Sequence, residues 1–117
     1  MGLVLWIDQN ELATGLFEKV FKDKGEKFYT LNSVLDFGYL ISDLDPLVIV
    51  VDAATALKDL GAFKRQYDET QGFFGKKVII VDPLPGLEFV QNLSGTINRP
   101  INPFELPEKL RKLIMEQ

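Results

Sequence analysis

The feature that most constrains this chain is an alternation. Short, continuous apolar runs are separated by longer stretches in which apolar residues recur at helical spacing. Runs without polar alternation suit strands buried on both faces, and strands alternating with helices suit a parallel sheet. Leu3 to Ile7, Lys27 to Leu31, Leu47 to Val51, Lys77 to Val81 and Gly95 to Asn98 are the expected strands. Four of these runs end in chemically useful groups: Asp8-Gln9, Asp52, Asp82 and Arg99-Pro100. Parallel neighbours would gather three carboxylates and a guanidinium at one sheet edge, where ligands bind in open α/β folds.

Between the strands, Leu12, Leu16, Phe17, Val20 and Phe21 predict a first helix stopped by Gly25. A second, capped by Asn32 or Ser33, carries Val34, Leu35, Leu40 and Ile41 and ends before Pro46. A third carries Ala56, Leu57, Leu60, Phe63 and Tyr67. A short fourth follows Asp82-Pro83-Leu84-Pro85-Gly86, with Pro85 in its first turn and Leu87, Val90 and Leu93 as its apolar face. Pro103 opens the last, where Leu106, Leu110, Leu113 and Ile114 form one stripe. The expected fold is α/β: a (βα)5 doubly wound, parallel five-stranded sheet with right-handed crossovers.

With 117 residues, 46% of them hydrophobic and nine of them Phe, residues 1–117 suit one domain around one interior. A net charge of −4 disfavours nucleic acid, whose binding depends on Lys and Arg contacts to phosphate. The absence of Cys and His removes thiolate metal sites and Ser-His or Cys-His nucleophile pairs. No apolar stretch reaches the ~20 residues of a membrane span, and Leu3 to Ile7 is too short for a signal core. The expectation is a cytoplasmic protein without membrane or nucleic-acid partners.

These residues resemble the receiver domains of bacterial two-component response regulators over nearly the whole chain. Val4-Leu5-Trp6-Ile7-Asp8-Gln9-Asn10 is similar to that family's first strand and acidic pair. Pro46 to Asp52 is similar to its third strand, which ends in the phosphorylated Asp. Arg99-Pro100-Ile101-Asn102-Pro103-Phe104-Glu105-Leu106 resembles its Lys-Pro-Phe segment and the helix start beyond. The resemblance implies a flavodoxin-like topology with strand order 2-1-3-4-5 and Asp52 at the phospho-acceptor position. It also implies a Mg²⁺ site drawing on Asp8 and Asp52, and a protein partner, either a histidine kinase or a downstream signalling protein.

The departures fall on the chemistry. One carboxylate of the acidic pair is Gln9, the Ser or Thr after strand four is Asp82, and the Lys is Arg99. Thr96 takes the aromatic switch position, Ala53-Ala54-Thr55-Ala56 replaces the Met-Pro stretch, and 17 positions from Asp82 to Arg99 shorten the fourth helix. Mg²⁺ needs hard oxygen ligands, so a neutral Gln9 weakens it. The usual three Asp and one Lys carry the same formal total as Asp8, Asp52, Asp82 and Arg99, with one negative charge moved to strand four. Facing a phosphoryl group at ~4 Å, that charge costs about 4 kcal/mol at an effective dielectric near 20. Phosphorylation of Asp52 is therefore expected to be disfavoured. A guanidinium pairs with carboxylates as a rigid fork, so Arg99 is expected to bridge Asp52 and Asp82.

The preferred expectation is a non-enzymatic, degenerate receiver acting by protein contact. A working Asp52 acceptor with Mg²⁺ is the second reading. A small metal- or nucleotide-binding α/β enzyme is the third, and lacks a Gly-rich phosphate loop. Plainer roles compete at each position: Asp8 and Asp52 suit helix caps and Asp82-Pro83 suits a turn. Trp6 is expected in the core. Phe73 and Phe74, between glycines, are expected to tuck into the core edge rather than form a partner patch.

Overall fold

The uninterrupted apolar runs become the inner strands. In the computed structural model, which describes residues 1–115, β1 (Val4–Ile7) and β3 (Val48–Asp52) are buried at every position. β4 (Lys77–Val81) is buried in all but its first residue. β2 (Phe28–Leu31) and β5 (Leu93–Ile97) are the less buried edges. All pairings are parallel and the order is β2-β1-β3-β4-β5. Each expected strand is present, β4 with the expected bounds and the others shifted by a residue or two at one end or both.

Helices cover both faces. On one side α1 (Glu11–Asp23) and α5 (Leu106–Met115) enclose Trp6, Phe17, Phe21, Phe28, Leu106 and Leu110. Trp6 is fully buried, its ring 5.0 Å from that of Phe17, so this core expectation holds. On the other side α2 (Gly38–Asp43), α3 (Ala53–Lys58) and α4 (Leu60–Glu69) enclose Phe37, Phe63, Tyr67 and Phe73. Among the described residues no helix is long and apolar enough to cross a membrane.

Four local expectations are corrected. The second helix begins at Gly38, not at Asn32 or Ser33. The Ser33 hydroxyl accepts the Leu35 N–H and bends the chain, a local bond that competes with helix. Gln66 of α4 then replaces the missing turn. Its Oε1 accepts the N–H groups of Phe37 (2.6 Å) and Gly38 (2.7 Å), and its Nε2 donates to Val34 O at 2.7 Å. The third helix is broken at Asp59, a weak helix former lying outside helical geometry between α3 and α4. The short helix after Pro85 does not form. Pro83 and Pro85 lack donors, and Gly86 sits at φ +116° against Leu57, so residues 83–92 run as turns that bury Leu87 and Val90. Leu93 belongs to β5. Finally, Phe73 is buried but Phe74 is exposed, so only one of the pair reaches the core.

Candidate functional site

The register places the strand ends side by side. Ile7 pairs with Val51, so Asp8 follows β1 beside Asp52 at the end of β3. Asp52 pairs with Val81, and Val81 with Ile97, which brings Asp82 and Arg99 to the same rim. Asp8 and Asp52 are buried at 1% and 4% exposure. Asp82 has a half-exposed side chain at 43%, and Arg99 lies between at 28%.

Arg99 holds all three carboxylates. Its Nη1 donates to Asp52 Oδ1 at 2.8 Å and to Asp82 Oδ2 at 3.0 Å. Its Nη2 donates to Asp8 Oδ2. Asp82 takes a left-handed turn at φ +49°, which Asp tolerates better than most residues, and its Oδ1 accepts the Arg99 backbone N–H at 2.8 Å. That backbone bond, then the guanidinium, hold the Asp82 carboxyl below its ordinary 3.8. Burial alone would lower the Arg99 guanidinium. Its bonds to Asp52 and Asp82, with the charges of Asp8 and Asp52, outweigh this and raise it.

The remaining carboxylate oxygens are also engaged. Asp8 Oδ1 accepts the Asn10 N–H at 3.0 Å, and its Oδ2 accepts the Trp6 indole N–H at 3.4 Å. Asn10, not Asp8, caps α1. Asp52 caps α3, its Oδ2 accepting both the Thr55 N–H (3.0 Å) and the Thr55 hydroxyl (2.7 Å). Thr55 Oγ1 in turn accepts the Gln9 backbone N–H at 3.0 Å. The cap role and the site position of Asp52 are thus the same arrangement.

The structure therefore gathers Asp8, Asp52, Asp82 and Arg99. Gln9 is exposed and joins through its backbone, and Thr96 is exposed on β5 opposite Ile80. Sequence reasoning missed Thr55 and the indole of Trp6. The Asp-x-x-Thr spacing of a capped first turn would have pointed to Thr55. A cleft of about 400 Å³ opens over the cluster, with Gln9, Asn10, Ala54 and Leu84 on its rim. A Mg²⁺ ion does not fit these residues as they stand. The guanidinium occupies the space between the carboxylates, and among the described residues no group of three or more acidic side chains is arranged to hold a metal.

No protein-family model and no curated protein matches the chain. Solved structures do, and they give it the receiver-domain fold. A response regulator from Desulfuromonas acetoxidans superposes at a TM-score of 0.76 and 11% identity, covering 99% of this chain and 98% of that one. The chemotaxis protein CheY4 of Vibrio cholerae gives 0.73 and 18%, covering 97% and 98%. The pseudo-receiver domain of the CikA protein gives 0.70 and 17%, covering 97% and 98%.

Proposed function

We propose that this chain is a receiver-type module of two-component signal transduction whose acceptor site is closed by its own arginine, and which acts through protein contact. The observation that carries this reading is the seating of Arg99 on Asp8, Asp52 and Asp82 at once. In this reading Arg99 is the site's resident cation, and no metal or phosphoryl group is required for the folded, partner-competent state. The partner is a histidine kinase or a downstream signalling protein in the cytoplasm, the module itself carrying no enzymatic activity.

Two further features favour signalling independent of phosphorylation. Thr96 is exposed and lacks an aromatic ring to move, and the segment between β4 and β5 has no helix for such a ring to shift. Incubation with acetyl phosphate and Mg²⁺, read by intact mass, tests the proposal. The wild-type chain is expected to gain no phosphoryl group. A phosphoryl adduct that disappears in Asp52→Asn would establish the second reading, a working acceptor.

A further inference from the structure

We infer that Thr55 is a second closing residue of the site: a positioning residue that fixes the Asp52 carboxylate so that neither oxygen is free. The inference rests on the closed-site reading above and extends it to a residue outside the ion-pair cluster. Asp52 presents two oxygens. Oδ1 is taken by Arg99, and Oδ2 by both the amide and the hydroxyl of Thr55. The hydroxyl has no freedom to turn away. Its single proton goes to Asp52 Oδ2, a carboxylate oxygen that only accepts, while its own oxygen accepts the Gln9 N–H. Thr55 is 2% exposed, so water does not compete for these bonds.

The consequence is chemical. For phosphoryl transfer from acetyl phosphate, an Asp52 oxygen attacks phosphorus, the bond from phosphorus to the acetyl oxygen breaks, and acetate leaves with the electron pair. The attacking oxygen needs a free lone pair aimed at the opening. Displacing Arg99 frees Oδ1 alone. The carboxylate stays pinned by Thr55, and Oδ2 cannot rotate into use. Hydrogen bonds to an ionised acceptor also draw electron density from it, which lowers its nucleophilicity.

The test compares Arg99→Lys with Arg99→Lys/Thr55→Val and Arg99→Lys/Thr55→Ser, each incubated with acetyl phosphate and Mg²⁺ and read by intact mass over time. Valine matches the shape of threonine without its hydroxyl. Serine restores the hydroxyl. The Val double variant is expected to acquire a phosphoryl group at least about tenfold faster than Arg99→Lys, the scale of one charge-assisted hydrogen bond. The Ser double variant is expected to match Arg99→Lys. Equal rates in Arg99→Lys and its Val derivative, including no labelling in either, overturn the inference. Cooperative thermal unfolding qualifies each variant, and Thr55→Ala replaces Thr55→Val if the latter does not fold. The wild-type incubation proposed above bears on the closed-site reading alone, so the two ideas fail separately.

Discussion

At the scale of single residues, one cation serves three carboxylates, and the asymmetry sets what each substitution does. Arg99→Ala leaves Asp8 and Asp52 buried and uncompensated. Removing one partner of a buried ion pair costs several kcal/mol, and the partial exposure of Arg99 brings the expected loss to about 2–4 kcal/mol. Asp52→Asn keeps an oxygen for the α3 cap and removes one excess negative charge, but turns an amide NH2 towards the Arg99 guanidinium, so its cost is expected at about 1–2 kcal/mol, below that of Arg99→Ala. Urea unfolding of the two variants checks this contrast. If Asp52→Asn costs as much as Arg99→Ala, the excess-charge account is wrong. Asp82 adds a pH dependence. Its folded carboxyl lies below the ordinary 3.8, so the unfolded chain binds more protons in that range. The stability it contributes is present above 3.8 and is lost as pH falls through the lowered folded value. Asp82→Asn is expected to flatten that part of the acid limb in a series of melting temperatures. An unchanged limb contradicts the assignment.

At the scale of elements, Gln66 substitutes a side chain for a helical turn. It is 4% exposed and bonds backbone groups at Val34, Leu35, Phe37, Gly38 and its own Ala62. Gln66→Leu would leave those buried groups unpaired, at an expected cost of about 2–4 kcal/mol. Hydrogen exchange checks the locality: the Phe37 and Gly38 amides are expected to lose protection before those of β3. Uniform loss across the sheet contradicts the pin. This element was not legible in the sequence, because a Gln inside an amphipathic stretch reads as solvent-facing unless its distant backbone partners are known. The strands were legible because Leu47 to Val51 and Val78 to Val81 carry their burial in their composition. The helix after Pro85 was misread for a tertiary reason. Leu87 and Val90 have helical spacing, yet they bury against the far layer from a chain of turns whose path Gly86 sets against Leu57. For the site, the strand ends announced Asp8, Asp52, Asp82 and Arg99. Asp8's attachment to Arg99 depends on a bond across strands that no spacing encodes, whereas Thr55's grip on Asp52 is a local cap that the Asp-x-x-Thr spacing carries.

At the scale of the whole molecule, the sheet edge and the core on the α1 and α5 side are joined at Asp8. The same oxygen that receives Arg99 also receives the indole N–H of Trp6, whose ring lies against Phe17 and, at 6.0 Å, Phe28. Trp6 is the sole tryptophan of the chain, so its emission reports on the occupancy of the rim from within the core. In the proposed closed site, Arg99 is the resident cation. The most direct measurement is a Mg²⁺ titration of the wild-type chain into the millimolar range, followed by Trp6 fluorescence. A flat response at constant ionic strength is expected. A saturable change that Asp8→Asn abolishes would contradict it, because it would show a metal taking the place assigned to the guanidinium.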